Sequence, residues 1–201
     1  MSLDPQKATL KPDSSFILAS SSPRRKDLLQ DLISQFEVVS AEVDELKNHP
    51  SGPESLVLEN AKLKCQKVAE IYPDFWVLGA DTLVALGNEV LGKPINIDEA
   101  KSMLMRLSSK THYVYTGISL SHISKGINLS RTVATSVTFQ ELNETVIENY
   151  FRKVNPLDKA GAYAIQTCPE MIIQSYQGSL SNVIGLPQEL LREWLTQYAL
   201  I

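Results

Sequence analysis

Cysteine is scarce in this chain of 201 residues, which has only Cys65 and Cys168. The two lie far apart and form no Cys-x-x-Cys pair, which argues against a disulfide-stapled scaffold and against a zinc site with the usual ligand spacing. The three histidines are scattered as well. Two unpaired cysteines are typical of packed thiols in a reducing compartment, so we expect a cytoplasmic protein without a structural metal.

Positive charge is not in excess either, because 19 Lys and Arg stand against 23 Asp and Glu, a formal net charge of −4. Dedicated DNA and RNA binders usually carry a basic excess, so we expect no polymeric nucleic acid as a partner. A local basic pocket could still bind a small polyanion. No apolar run approaches the length of a membrane span, and residues 1–15 lack the apolar core of a signal peptide, so we expect no membrane partner.

What the sequence does contain is an alternation of strand and helix patterns. A polar extension at residues 1–15 precedes residues 16–201, which have the length of one domain and contain no repeat or long linker. Gly87-Asn88 predicts a two-residue hairpin loop. The other predicted strands are 16–19, 36–39, 76–80, 113–121 and 129–139, and helices begin near residues 23, 53, 98, 143 and 187. This order indicates an α/β fold with a mixed twisted sheet and flanking helices.

The first predicted helix opens with cations rather than acids. Ser20-Ser21-Ser22 leads from the first strand into Pro23, and Arg24, Arg25 and Lys26 occupy the first turn. A helix N-terminus already carries partial positive charge, so a bound anion would relieve the repulsion that these side chains add. Free backbone N–H groups, serine hydroxyls and three cations suit a polyphosphate. The alternative is a solvated first turn whose arginines form salt bridges elsewhere.

Asp81 is the second candidate, because it follows an apolar strand and ligands of α/β sheets gather beyond the carboxyl ends of strands. Counting outward from the Gly87-Asn88 loop puts Lys93 opposite Thr82. Lys93 is then expected beside Asp81. This carboxylate and this amine either bind a metal-bound phosphate or form a plain ion pair.

Five further polar positions give weaker signals. Asp44 and Glu45 follow a predicted strand and either donate carboxylates to a divalent cation or are solvated loop residues. Lys62 and Lys64 lie on the second predicted helix, where Lys62 adjoins the apolar stripe and reaches either a cleft or solvent. Gln166 follows a run of small residues and offers both a donor and an acceptor, either to a base edge or within a tight turn.

Six motifs occur in order along nearly the whole chain, from about residue 16 to residue 199. They are Leu18-Ala-Ser-Ser-Ser-Pro-Arg-Arg25 with Leu28-Leu29, Gly79-Ala-Asp-Thr82, Gly92-Lys-Pro94, Thr116-Gly117, Asp158-Lys-Ala-Gly-Ala-Tyr163 with Gln166, and Val183-Ile-Gly-Leu-Pro187. Together they resemble the Maf family of nucleoside triphosphate pyrophosphatases. One such motif would be weak, whereas six in order are specific.

The resemblance implies an α/β fold related to the inosine triphosphate pyrophosphatases, with two lobes around a deep cleft. It also implies a divalent metal (Mg²⁺ or Mn²⁺), commonly a homodimer, and hydrolysis of a nucleoside triphosphate to the monophosphate plus pyrophosphate. The family's proton acceptor, which is also a candidate metal ligand, falls on Asp81, and its acidic residue after the second strand falls on Asp44 or Glu45. Its phosphate-binding serine, arginines and lysines fall on Ser20, Arg24, Arg25, Lys62 and Lys93.

The resemblance also bears on the base. Arg24, Thr82 and Gln166 match the branch that acts on dTTP and UTP, while the 7-methyl-GTP branch differs around the Ala-Gly-Ala-Tyr segment. Many members continue with Gly-x-Gly after the Gln, whereas this chain has Thr167-Cys168-Pro169, which alters the wall next to the base. We therefore expect a dTTP and UTP pyrophosphatase. The alternatives are a pyrophosphatase for 7-methyl-GTP or another modified nucleotide, and a non-catalytic nucleotide-binding regulator of cell division.

Overall fold

The computed structural model describes residues 16–201, so the predicted extension at residues 1–15 lies outside the described residues. The strands are β1 (Phe16–Ala19), β2 (Glu37–Val38), β3 (Trp76–Leu86), β4 (Glu89–Leu91), β5 (Thr111–His122), β6 (Ile127–Phe139) and β7 (Ile173–Gln177). The helices are α1 (Pro23–Gln30), α2 (Pro53–Ala69), α3 (Ile97–Leu107), α4 (Glu144–Phe151), α5 (Leu180–Ile184) and α6 (Gln188–Gln197). None of these helices is both long and apolar enough to cross a membrane.

The seven strands form one mixed sheet in the order β2-β1-β3-β5-β6-β7, with β4 paired to β3 outside that path. β1 runs parallel to both β2 and β3, while β5, β6 and β7 are linked to β3 and to one another by antiparallel pairing. Helices lie on both faces, because the sheet is apolar on both. The predicted α/β fold with a mixed sheet is confirmed.

One edge of β3 is shared by two short strands with a gap between them. β1 pairs with β3 from Trp76 to Gly79, and β4 pairs with it from Val84 to Leu86. Because β1 is parallel to β3 and β4 is antiparallel to it, the carboxyl ends of both short strands point toward this gap. Asp81 and Thr82 lie on β3 within it. The carboxyl ends of β1 and β4 therefore meet at this gap, beside β3, which runs through it.

Alternate residues of β1 pack against different helices, as the two-residue period of a strand requires. Phe16 and Leu18 belong to a core that includes Trp194 of α6. Ile17 and Ala19 belong to a second core with the inner face of α2. A third core covers the far half of the sheet and includes the buried face of α3, formed by Ala100, Met103, Leu104 and Leu107.

Two glycines bring α2 unusually close to the sheet. A Cβ atom on Gly79 would lie 2.4 Å from the carbonyl oxygen of Ala61, and one on Gly117 would lie 2.4 Å from that of Val57. Real Cβ contacts are longer than this, so only glycine fits at either position. The close approach holds the polar residues of α2 against the middle of β3.

Several predicted boundaries differ from the structure. The strand expected to end at Asp81 runs on to Leu86, because β5 pairs with β3 along almost its whole length. The helix expected to be capped by Asp98 starts at Ile97 and is capped by Asn96, whose side chain accepts a hydrogen bond from the Glu99 amide. β2 has two residues where four were expected, and the second and fourth predicted helices end about three residues early.

Candidate active site

A cleft of about 650 Å³ opens at the gap along the edge of β3. Its polar end is lined by the segment after β1, the start of α1, the middle of β3 and the segment after β4. Its other end is mostly apolar and lies against the third core. The polar lining includes Ser20, Arg24, Arg25, Glu45, Lys64, Asp81, Thr82, Lys93, Asp158 and Lys159, and the other end includes Val84, Val114, Tyr163, Ile165, Gln166 and Val183.

Asp81 lies at the centre of the polar end with two partners from α2. Its Oδ1 atom accepts a hydrogen bond of 2.7 Å from the ammonium of Lys64, and its Oδ2 atom accepts one of 3.3 Å from the amide of Asn60. The same Lys64 ammonium lies 2.9 Å from Oε1 of Glu45. The side chains of Lys64 and Asp81 are 11% and 14% exposed, whereas that of Glu45 is 52% exposed. Two carboxylates thus share one cation at the cleft wall.

Arg25 links three walls of the cleft. Its guanidinium donates hydrogen bonds to the Gly185 carbonyl at 2.9 Å, to Ser20 Oγ at 3.2 Å and to Thr82 Oγ1 at 2.9 Å. Burial lowers the pKa of this guanidinium, and the charge of Asp81 opposes that shift. A guanidinium remains charged in spite of such a shift and has five N–H donors. Arg25 therefore brings a permanent positive charge into the cleft while it holds Ser20 and Thr82 in place.

Further cations lie at the mouth of the polar end. Nη1 of Arg24 lies 3.5 Å from the Asp158 carboxylate, and the Lys159 ammonium donates to the same carboxylate at 2.7 Å. Burial raises the pKa of Asp158, but the hydrogen bond and charge of Lys159, together with the charge of Arg24, lower it overall. Lys93 lines the cleft just beyond β4. Arg24, Lys93 and Lys159 therefore surround a space that would suit a chain of phosphates.

The loop that forms the other end of the cleft is fixed from behind by buried hydroxyl groups. The hydroxyl of Tyr150 donates to the Ala164 carbonyl at 3.1 Å and accepts from the Ala164 amide at 3.0 Å. The hydroxyl of Tyr163 lies 2.8 Å from Nε2 of His112, inside the third core. Gln166 follows this fixed stretch and is exposed at the cleft. A flat ring could therefore lie against apolar walls with a polar amide at its edge.

The structure brings most of the predicted site residues together. Ser20, Arg24, Arg25, Asp81, Thr82, Lys93 and Gln166 all line the one cleft. The direct pairing of Thr82 with Lys93 is wrong, because the β3–β4 ladder ends at Val84 and Leu91. Beyond that point the chain turns away, since the Gly92 carbonyl accepts a hydrogen bond from the Gly161 amide at 3.1 Å.

Two other predicted residues lie outside the cleft. The ammonium of Lys62 is bonded to Glu59 on its own helix at 2.8 Å, and Lys64 takes the position expected of Lys62. Of the acidic pair, Glu45 lines the cleft and Asp44 does not. Lys64, Asn60 and Lys159 were not among the predicted site residues. Lys64 and Asn60 both lie on α2. Their spacing of four residues places both on the same side of α2, but it does not show that this side borders the cleft.

The residues present fit a magnesium-type ion only in part. The described residues contain no group of three or more His, Cys, Asp or Glu side chains arranged to hold a metal. Asp81 and Glu45 nevertheless supply two carboxylates that share one cationic partner. Mg²⁺ is usually bound through one or two carboxylates together with substrate phosphates and water, so this pair fits an ion that arrives with a polyphosphate.

Comparison with known proteins identifies close relatives. A family model described as Maf-like protein matches residues 15–198. The chain is 46% identical over 182 residues to the dTTP/UTP pyrophosphatase of Bacillus cereus strain G9842, a match that covers 90% of this chain and 94% of the relative. It is also 46% identical over 171 residues to the dTTP/UTP pyrophosphatase of Akkermansia muciniphila, covering 85% and 89% of the two chains.

Solved structures with low sequence identity share the fold. The Ham1 protein of Staphylococcus aureus superposes with a TM-score of 0.53 at 17% identity, covering 91% of this chain and 98% of that one. A HAM1 protein from Coxiella burnetii gives a TM-score of 0.51 at 14% identity, covering 92% and 99%. These similarities support the fold expected from the resemblance, an α/β fold related to the inosine triphosphate pyrophosphatases.

Proposed function

The chain belongs to the Maf-like protein family, and we propose that it hydrolyses dTTP and UTP to the nucleoside monophosphate and pyrophosphate. The observation that carries the proposal is the cleft, in which one largely buried carboxylate, Asp81, lies among several cations, next to an apolar pocket with an amide at its edge. Relatives at 46% identity that bear the name dTTP/UTP pyrophosphatase support the same activity.

We propose that the triphosphate lies along the polar end of the cleft. Arg24, Lys93 and Lys159 would neutralise its charge, because cations paired with phosphate oxygens form strong charge-assisted hydrogen bonds. Binding requires Arg24 and Lys159 to exchange the Asp158 carboxylate for phosphate oxygens. That exchange replaces one anionic partner with another and so leaves no cation unpaired.

Asp81 is proposed to orient a water molecule and to accept its proton during attack on the α-phosphorus. Lys64 and Asn60 hold the two oxygens of this carboxylate from one side, which fixes the direction in which it accepts a proton. The bond from the α-phosphorus to the bridging oxygen breaks, and pyrophosphate leaves among the cations at the cleft mouth. This chemistry depends on positioning and electrostatics, so it needs no Cys, His or Ser nucleophile.

Asp81 and Glu45 are the residues proposed to hold a divalent ion, Mg²⁺ or Mn²⁺. Such an ion would supply charge neutralisation at the phosphates and polarise the phosphorus–oxygen bonds. A titration of pyrophosphate release with MgCl₂ and with EDTA tests this requirement.

We propose that Gln166 recognises the base. An amide can donate to a pyrimidine carbonyl and accept from the ring N3–H, a combination that thymine and uracil offer and cytosine does not. A site built on such hydrogen bonds rejects an analogue that leaves its polar groups unpaired. The exposed position of Gln166 at the apolar end of the cleft supports this role.

The test is release of pyrophosphate from dTTP, UTP, CTP and 7-methyl-GTP by the purified protein. We expect dTTP and UTP to be hydrolysed fastest, and Asp81→Asn to lower turnover by roughly 10²-fold or more, the scale of a lost acid–base group. Faster hydrolysis of 7-methyl-GTP would favour that alternative. Nucleotide binding without any turnover would favour a regulatory protein.

A homodimer and a cytoplasmic location stay predictions for this chain. The two free thiols, Cys65 and Cys168, are consistent with a reducing compartment. Light scattering after gel filtration would measure the mass in solution, and a fluorescent fusion would report the location in cells.

A further inference from the structure

The segment that carries Glu45 has no regular structure of its own. Between β2 and α2, residues 39–52 form neither helix nor strand. In the middle of this segment, the backbone of Leu46 forms hydrogen bonds with one side chain on α2. The Leu46 amide donates to Oδ1 of Asn60 at 2.8 Å, and the Leu46 carbonyl accepts from Nδ2 of Asn60 at 3.1 Å. One amide thus fixes the residue next to Glu45.

The same amide also holds Asp81. Nδ2 of Asn60 donates its second hydrogen toward Oδ2 of Asp81 at 3.3 Å. Asn60 is 3% exposed, so its polar atoms depend on these partners rather than on water. An asparagine side chain has two donor hydrogens and one carbonyl oxygen, and here each has a partner. An aspartate would lack the donors and a leucine would lack both functions.

Asn60 and Lys64 stand four residues apart and contact the two oxygens of Asp81 from one side of α2. Lys64 reaches Glu45 directly, while Asn60 reaches it through the backbone of Leu46. The two carboxylates of the site therefore depend on the same two positions of one helix. Gly79 and Gly117 let that helix approach the sheet closely enough for these contacts.

We propose that Asn60 is a positioning residue that joins the Glu45 segment to Asp81 and so assembles both carboxylates of the site. The inference rests on the proposed pyrophosphatase function. Asn60 touches no phosphate in this scheme and acts through Asp81 and Glu45. Its loss should therefore lower kcat while KM, which reflects cations elsewhere in the cleft, changes little.

Asn60→Leu keeps the side-chain size and removes all three hydrogen bonds. We expect kcat for dTTP to fall about 10- to 100-fold, the usual effect of losing a residue that orients ligating carboxylates, with KM within about 3-fold of the parent value. Ser108→Ala is the matched control, because Ser108 Oγ binds the amide and the carbonyl of one loop residue, Leu142, outside the cleft. An Asn60→Leu kcat no lower than that of Ser108→Ala would overturn the proposal.

A double-mutant cycle with Glu45→Gln tests the path of the effect. If Asn60 acts through Glu45, the double variant loses clearly less activity than the product of the two single losses. Losses that simply multiply would contradict the link to Glu45.

Hydrogen exchange gives a readout that does not depend on turnover. The Leu46 amide should exchange about 3- to 10-fold faster in Asn60→Leu, in line with the loss of a hydrogen bond of ordinary strength. Unchanged exchange would refute the anchoring of the Glu45 segment. If the parent protein hydrolyses no nucleotide, the proposed function fails while this measurement still decides whether Asn60 anchors the segment.

Discussion

Replacing Lys64 with methionine tests the arrangement at the cleft wall, and Lys62→Met on the same helix is its matched control. Lys64 contacts two carboxylates, Asp81 at 2.7 Å and Glu45 at 2.9 Å, while Lys62 contacts only Glu59 at 2.8 Å. Both substitutions remove one positive charge and keep a flexible chain of similar length. They differ in the carboxylates that lose a partner, which are Asp81 and Glu45 in Lys64→Met and only Glu59 in Lys62→Met.

The expected losses of stability follow from how exposed the paired side chains are. Breaking a fully buried pair costs about 3–5 kcal/mol, and since Glu45 is half exposed we expect Lys64→Met to cost about 1–3 kcal/mol of stability. The side chains of Lys62 and Glu59 are 39% and 41% exposed, so Lys62→Met should cost less than about 1 kcal/mol. In activity, Lys64→Met should lose about 10²-fold in kcat, or about 2.7 kcal/mol of barrier, because Asp81 loses the partner of Oδ1.

The assay pairs urea unfolding with steady-state kinetics on dTTP for both variants. We expect a large loss of kcat for Lys64→Met and parent-like kinetics for Lys62→Met. Equal losses in the two variants, or a larger loss for Lys62→Met, would show that the lysine beside the carboxylates has been assigned wrongly.

Three other predictions concern packing, base recognition and pH. Gly79→Ala should lower the free energy of unfolding by at least about 2 kcal/mol, because its Cβ atom would meet the backbone of Ala61. Gly92 has open space around it, so Gly92→Ala should change the free energy of unfolding by less than about 1 kcal/mol. Urea titrations of both variants would check these values. Gln166→Leu should reduce the ratio of kcat/KM for UTP over CTP, and an unchanged ratio would remove Gln166 from base recognition. Burial lowers the pKa of His112 to about 4 from its usual 6.5, so the unfolded chain binds the extra proton between those values and stability should fall by about 3 kcal/mol as pH drops through that window. His112→Gln should flatten that part of the unfolding profile, and a profile identical to the parent's would contradict the assignment.

Local signals in the sequence predicted local features well. The Gly87-Asn88 turn is confirmed, with Leu86 opposite Glu89, because a two-residue loop fixes the register of its own hairpin. The same counting failed further out, at Thr82 and Lys93. There the register is overruled by a distant contact between the segment after β4 and the loop that begins at residue 160.

The choice between Lys62 and Lys64 could not be made from the sequence. The apolar stripe of α2 includes Ala61 and Cys65, and the two lysines flank that stripe on opposite sides. Hydrophobic periodicity shows which face of a helix is buried but not which flank borders a cleft. That depends on how α2 crosses β3. The crossing is set by the close contact of α2 with Gly79, and a pattern of apolar and polar residues gives glycine no weight.

The position of Asp81 in the sheet also could not be predicted from a local sequence pattern. Its place after an apolar strand suggested a strand end. The structure does place Asp81 in the cleft, but for a different geometric reason. The strand continues, and the strand ends that gather there are those of β1 and β4. Pairing between segments far apart in the chain decides this, and no local pattern records it.

Hydrolysis of dTTP in water enriched in ¹⁸O, followed by mass spectrometry of both products, shows which phosphorus the water attacks. If water attacks the α-phosphorus as proposed, we expect one ¹⁸O atom in dTMP and none in pyrophosphate. Label in pyrophosphate, or release of orthophosphate and dTDP, would place the attack on another phosphorus and contradict the proposed reaction.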